Sequence, residues 1–410
     1  MIVSTLRGLN RRRVIGALVV AVGVVVAALV INQSRETSGR RVPVGLNPVA
    51  VAVDDQTERA FVLSRGLLNS LGEPTGPGNV TVIDSETGAI VNTTEVGRDP
   101  TAIAVDKSTG RVFVVNRGAY DTSGHPSELG TVSVLDARSG RVLRTIGVGK
   151  GPQSITVDER LERVVVVNSG IAPESGSVSI LDGQSGTVLG KIAVDSYPAD
   201  AAVDSTEGLV FVANFLSNTV SILDLQRMRV AKTVTLGSEP GTLAKLVLDE
   251  RTAHVYALSF SYPPVIPGGG PSNGKVTMIN ARNGEILNTV VMTNATAIAL
   301  SSRTGHVLVT WSQAQKSWLT ALDAERGNIL WSVRVGEYPY AIGVNERLGR
   351  ILVINWKSGT VSVLEAQDGK SLCTRTVGER PVAIAVSGQT DKVFIVSAKD
   401  NSVSIWNSMC

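Results

Sequence analysis

Pro100 to Gly149 reads PTAIAVDKSTGRVFVVNRGAYDTSGHPSELGTVSVLDARSGRVLRTIGVG, and four apolar runs stand out in it: TAIAVD, RVFVVN, TVSVLD and VLRTIGVG. Each is short, rich in Val and Ile, and bounded by Gly, Asp, Ser and Thr. That composition suits a pleated, half-buried surface and is too brief for an ordinary helix. The joins Asp106 to Gly110 and Asp136 to Gly140 share the form Asp-x-x-Ser/Thr-Gly. There an Asp side chain accepts nearby backbone N–H groups while Gly takes the positive φ of a tight turn. The stretch therefore predicts one four-stranded antiparallel sheet.

Most of the remaining chain is an imperfect copy of this unit. Aligning on the proline before the first strand gives Pro48, Pro100, Pro152, Pro198, Pro240, Pro339 and Pro381, and a further copy near Ala295 keeps TAIALSSRTGHVLV without the proline. The second strand ends on a short polar residue at Ser64, Asn116, Asn168, Asn214, Ser259, Asn355 and Ser397, with Trp311 the exception. A lone four-stranded sheet cannot bury both faces, so the copies must stack face to face, and radial stacking makes a β-propeller. The fold expected is all-β, a propeller of eight four-stranded blades, with seven as the alternative.

The strand-ending asparagines (VFVVN116, VVVVN168, VFVAN214, ILVIN355) followed by G-T/S-V-S-V/I-L-D resemble the YVTN-repeat β-propeller family from about Arg41 to the C-terminus. That family groups with lactonase-like and amine-dehydrogenase-like propellers. The resemblance implies fold far more than function, because one architecture hosts binding modules and enzymes alike.

A formal charge of +3 over 410 residues, with no run of Lys and Arg interleaved with aromatics in the repeats, argues against a nucleic-acid partner. Two cysteines exclude a disulfide framework and a Cys-based metal site. Residues 1–13 carry Arg7, Arg11, Arg12 and Arg13 and read as a cytoplasmic basic segment. Residues 14–31, VIGALVVAVGVVVAALVI, are long and apolar enough to span a bilayer as an anchor, with a cleaved signal peptide as the rival. Arg11-Arg12-Arg13-Val14-Ile15 is also similar to a twin-arginine export signal, with ordinary flanking charge the plainer reading. Either way residues 41–410, behind a polar linker at 32–40, are expected on the extracytoplasmic side of the cell membrane, or secreted or periplasmic after cleavage.

The last copy, from Pro381, has only three strands before Cys410, whereas Arg41-Val42-Pro43-Val44-Gly45 reads like the end of a fourth. Val42 to Gly45 is therefore expected to complete the eighth blade, hiding an open edge, with Pro43 tolerated on the outermost strand. Chain direction then puts the Asp-x-x-x-Gly turns on one face of the disc, and the second-to-third-strand loops with the VG-x-x-Pro crossovers on the other. The short linker reaches about 30 Å at most, which points the turn face toward the membrane and the loop face outward.

Insertions gather on the loop face, at Arg65 to Gly78, Arg117 to Gly130, Ser169 to Gly176 and Phe260 to Gly274. Insertions on one face of a repeat ring point to a binding face, with tolerated Gly/Pro insertions that hold no ligand as the other reading. Trp311, Tyr338, Tyr340 and Trp356 are expected near one rim there, where flat rings with a polar handle suit peptide, glycan or aromatic ligands; inter-blade packing is the plainer role. Arg65 and Arg117 occupy equivalent positions on neighbouring copies and offer a place for an anionic group, with solvated surface arginines the plainer reading. His125 lies in an outward loop. Trp331, in GNILW, is similar to a tryptophan-docking pattern of quinoprotein propellers, with packing at the blade edge the plainer reading. His254 and His306 stand at the start of their second strands, on the turn face and away from His125, which argues against a shared triad or histidine metal site. Asp54, Asp106, Asp158, Asp204 and Asp249 read as turn caps.

No catalytic residues, metal ligands or cofactor are assigned. A disulfide between Cys373 and Cys410, on neighbouring blades, is compatible with an oxidising compartment but needs a narrow Cα separation. The reading preferred is a membrane-tethered module that binds an envelope protein, peptide or glycan through its loop face. The alternative is a hydrolase or oxidoreductase of the lactonase-like or quinoprotein-like type, for which Asp200, Gln153 and His125 are the polar candidates near the channel mouth.

Overall fold

The computed structural model describes residues 39–121, 125–171, 175–237, 243–259, 274–313, 315–408 and 410. They form eight four-stranded sheets. Blade 1 comprises Pro48–Asp54, Arg59–Ser64, Pro77–Asp84 and Ile90–Arg98, and blade 2 comprises Pro100–Asp106, Arg111–Asn116, Leu129–Asp136 and Val142–Lys150. The inner strands of blades 3 to 8 begin at Pro152, Pro198, Leu243, Ala295, Pro339 and Pro381. Inner strands pack on one another around the disc, that of blade 1 against that of blade 8 as well as that of blade 2. The outer strand of the eighth sheet is Arg40–Pro43, beside Ser402–Asn407. Val44 N donates to Asn401 O at 2.9 Å just past its end.

The proline alignment misplaces one strand. Blade 5 starts at Leu243, not Pro240, and Leu243 pairs with Ser259 as Pro100 pairs with Asn116. Any side chain that is buried at this position serves, and Leu243 is fully buried. The apolar segment 14–31 lies outside the described residues, among which no helix is long and apolar enough to cross a membrane.

Each second strand is buried on both faces because neighbouring blades cover both, which explains runs such as VVVV. Two contacts fix the blade spacing. The glycine in or just past the outer strand abuts the strand-ending asparagine of the next blade: a Cβ on Gly97, Gly149 or Gly336 would come within 2.6 Å of Asn116, Asn168 or Asn355. The glycine opening the third strand likewise abuts the next inner-strand proline, Gly130 against Pro152 and Gly176 against Pro198. The asparagines turn their amide donors to hydroxyls of their own third strand, Asn116 to Ser133 at 3.0 Å and Asn214 to Ser221 at 2.9 Å.

On the turn face the Asp caps form as the sequence suggests: Asp54 accepts from Gln56 N, Asp158 from Arg160 N and Asp249 from Arg251 N. The next turn residue is acidic in alternate blades and clasps the blade before it. Glu159 accepts from Lys107 N, Glu250 from Ser205 N, Glu346 from Ser302 N, and Asp55 from Gly388 N and Ser387 Oγ. The seam between blades 8 and 1 is therefore clasped as the seams 2–3, 4–5 and 6–7 are. Cys373 and Cys410 are joined, with Cα atoms 6.0 Å apart, linking the outer strand of blade 7 to the end of blade 8.

Candidate functional site

Two repeated positions build the loop-face rim. In seven blades the residue before the inner strand is left-handed: Asn47, Asp99, Gly151, Tyr197, Asn294, Tyr338 and Arg380 have φ between 50° and 58°. In six blades its carbonyl accepts from the first residue after the second strand, respectively Arg65, Arg117, Ser169, Phe215, Trp356 and Ala398, at 2.8 to 3.1 Å. The two side chains are thus set beside one another at the base of each long loop, and they vary while the backbone does not. Left-handed tyrosine and arginine are uncommon, so this hydrogen bond holds them where propensity would not.

On blades 1 to 3 the rim is polar. Arg65 Nε donates to Asp99 Oδ1 at 2.7 Å, Tyr120 hydroxyl donates to Asp99 Oδ2 at 3.1 Å, and Arg117 Nη1 lies 3.9 Å from the same oxygen. Asp99 is fully buried. Burial pushes the Tyr120 hydroxyl above the usual range, and the Asp99 charge adds to this. Arg117 also donates to Gln153 Oε1, and Gln153 Nε2 reaches Ser169 Oγ at 3.4 Å and Tyr197 hydroxyl at 3.5 Å. Asp99, which is the anion between the expected arginines, was not singled out from sequence. The signal was its place directly before Pro100, where the equivalent residues are Asn47, Gly151 and Tyr197.

On blades 7 and 8 the rim is aromatic. Trp356 N bonds Tyr338 O, the Arg380 guanidinium lies 5.3 Å from the Trp356 ring centre, and Lys357 Nζ lies 5.7 Å from that of Tyr338. Tyr340 sits on the one-residue bulge of its inner strand and is 52% exposed. Gln153 occupies the same bulge of blade 3, four blades away. Trp311 stands apart from this group: it stacks on Trp318 at 4.6 Å, donates from Nε1 to Thr320 Oγ1 at 2.8 Å, and packs on the core between blades 5 and 6. Trp331 packs on the core between blades 6 and 7 and donates from Nε1 to Gln367 O at 3.2 Å. His125 is exposed, its amide bound to Asp121 Oδ1 at 2.9 Å.

The channel wall is largely Ala, Val and Ile, since the inner strands read PVAVAVD, PTAIAVD and PVAIAV. Asp200, its conspicuous acid, accepts from Ser154 Oγ at 3.0 Å and Leu246 N at 3.1 Å and pairs with Lys245 at 3.5 Å. Its oxygens are thereby committed to tying blades 3, 4 and 5 together. His254 and His306 each bind a carbonyl of the next blade, Ala324 O at 3.1 Å and Ala366 O at 3.0 Å. Among the described residues no three His, Cys, Asp or Glu side chains cluster as metal ligands would.

The most exposed large apolar side chains among the described residues are Leu71 (81%), Leu67 (65%), Val291 (64%) and Leu129 (59%), and all four stand on the loop face. Leu67 and Leu71 cap the loop after Arg65, whose shape is fixed by Arg98 donating twice to Pro74 O at 2.7 and 3.0 Å.

Over residues 43–261 and 270–408 the chain matches the family model described as outer membrane protein assembly factor BamB. No curated protein matches it by sequence. Among solved structures it is similar to Saccharomyces cerevisiae Sqt1, at 10% identity and TM-score 0.68, covering 90% of this chain and 99% of that one. It is also similar to BamB from Moraxella catarrhalis, at 16% identity and TM-score 0.60, over 90% and 99% of the two chains. Kuenenia stuttgartiensis hydrazine synthase aligns at 14% identity and TM-score 0.56, over 89% and 97%. At these identities the likeness is one of fold.

Proposed function

Because the chain belongs to the outer membrane protein assembly factor BamB family, we propose that it is a binding module whose loop face docks a polypeptide partner in the cell envelope. The observation that carries this reading is the gathering of the most exposed apolar side chains, Leu71, Leu67, Val291 and Leu129, on one face of the disc. Exposed apolar anchors on the same face as aromatic rings and guanidinium groups are the composition of a protein interface rather than of a reaction centre. Committed hydrogen bonding at Asp200 and the separation of the three histidines weigh against the hydrolase or oxidoreductase alternative.

The finer parts of the reading have their own supports. The strand-ending asparagines support kinship with YVTN-repeat propellers. The arginines and apolar run of residues 1–31 support a tether on the cytoplasmic membrane, and the Cys373–Cys410 link supports an oxidising, extracytoplasmic location. The outer strand Arg40–Pro43 supports closure of the ring by the N-terminal segment.

The test is site-specific photocrosslinking in intact cells, with the probe at Leu71 or Tyr340 on the loop face, or at Arg138 on the turn face, followed by identification of the adducts. A discrete adduct from the loop-face positions, abolished by Leu71→Asp and absent from Arg138, is expected. Equal adducts from both faces would refute the assignment.

A further inference from the structure

We propose that Arg65 and Arg117 form a receptor for a carboxylate group, with Asp99 as the fixed internal counter-ion that sets both guanidinium groups. The proposal rests on the loop face being the binding face. Two cations share one buried carboxylate, so the cluster keeps one uncompensated positive charge. Arg65 spends only its Nε on Asp99, and its terminal nitrogens have no partner among the described residues while the side chain is 26% exposed. Arg117, 27% exposed, holds Gln153 with one terminal nitrogen, and its enclosed Nε has no partner among the described residues.

The nearby loop acids are already engaged within their own loops. Glu73 accepts from Asn69 Nδ2 at 3.0 Å, Asp121 from the His125 amide at 2.9 Å, and Glu128 from the Ala119 amide at 2.7 Å. Among the described residues the ion-pair partner of both Arg65 and Arg117 is Asp99. A planar guanidinium edge with two free N–H groups matches a carboxylate in bidentate fashion, a match that an ammonium group does not reproduce. The exposed leucines at the tip of the same loop would flank the acid, favouring an acidic residue within an apolar peptide; a small free dicarboxylate offers the same chemistry.

The experiment is calorimetric titration of the full-length protein in detergent with an Asp/Leu peptide, its Asn/Leu counterpart, and malonate. Arg65→Lys keeps the charge beside Asp99 while removing the fork; Arg117→Gln removes the second cation; Lys399→Gln removes a loop-face charge elsewhere on the rim. Circular dichroism melts check that each variant folds. The expected result is binding of the Asp peptide, or of malonate, that weakens about 10- to 100-fold in Arg65→Lys and Arg117→Gln and is unchanged in Lys399→Gln. The peptide and malonate arms tell the two sources apart. The proposal is overturned if neither carboxylate binds, if the Asn peptide binds as well as the Asp peptide, or if Lys399→Gln matches Arg65→Lys. Crosslinks from Leu71 that persist in Arg65→Lys, with no carboxylate binding, would remove this site and leave the binding-module reading standing.

Discussion

The Gly149 amide donates to Asn168 Oδ1 at 3.1 Å across the seam between blades 2 and 3, and a Cβ on Gly149 would lie 2.6 Å from Asn168 Cγ. Gly147, two residues earlier on the same strand, has nothing within 4 Å of such a Cβ. Gly149→Ala should therefore push the blades apart at a cost of about 1–3 kcal/mol, the usual range for overpacking, while Gly147→Ala stays close to neutral. Denaturant melts of the two variants decide it, and equal midpoints would refute the close approach.

The Cys373–Cys410 bond closes a loop with a sequence separation of 37. On the chain-entropy account, removing it by the double Cys→Ser substitution should destabilise the protein by about 3–4 kcal/mol. Unfolding should begin in blades 7 and 8, so proteolysis of the variant should first release C-terminal fragments. An unchanged midpoint in the double variant would show that the bond contributes nothing.

Turn carboxylates set the acid limit. Thr87 N–H holds Asp84 below the ordinary carboxylate range, the Ser139 hydroxyl and amide do so for Asp136, the Ser185 amide for Asp182 and the Arg227 amide for Asp224. A depressed folded pKa gives stability that is present above the unfolded value, about 3.9, and lost as pH falls through the folded one. Melting temperature should be nearly flat from neutrality to about pH 5 and drop below about pH 4. Blade 5 already carries the neutral cap Asn280, which accepts from Arg282 N at 2.9 Å. Combining Asp136→Asn, Asp182→Asn and Asp224→Asn should make the acid drop shallower, and an identical pH profile would contradict this.

Val42, 3% exposed, packs with Phe394, Val403 and Val62 where blades 8 and 1 meet. Val42→Asp buries a charge without a partner and should detach the outer strand, baring the edge of Ser402–Asn407. Size-exclusion chromatography should then show association of the variant; a monodisperse monomer that melts like the parent would refute the role given to this strand.

The blade was legible in the sequence because every strand of it is bounded by Gly, Pro or Asp with a steric task. The start of blade 5 was not, because Leu243 fills by burial the place that proline marks elsewhere. The strand-ending asparagines stood out as a repeated position, but their partners, hydroxyls of the adjacent third strand such as Ser177 and Ser179 for Asn168, are set only by the strand register. The alternation of Asp55, Glu159, Glu250 and Glu346 stood in the sequence as DD, DE, DE and NE, but it acquires meaning only when the facing amides of the preceding blade are known. At the rim, Arg65 and Arg117 could be paired by alignment, whereas Asp99 between them belongs to a crossover, so only the folded ring brings it there. Trp311 and Trp356 look equivalent along the chain; a difference of one position sends the first onto Trp318 and the second to the rim.

The eighth sheet combines Arg40–Pro43 with three strands from the far end of the described residues. From Arg40–Pro43 the backbone passes straight into Pro48 of blade 1, so the seam between first and last blades is crossed by peptide bonds, as its neighbours are. Joining Ser408 to Arg40 through a turn like Asp182 to Thr187 and cutting the chain in another loop would give a circular permutant with the same eight sheets. Blades 8 and 1 are thus tethered by the chain itself as the other neighbouring blades are, and blades 7 and 8 carry the Cys373–Cys410 bond in addition.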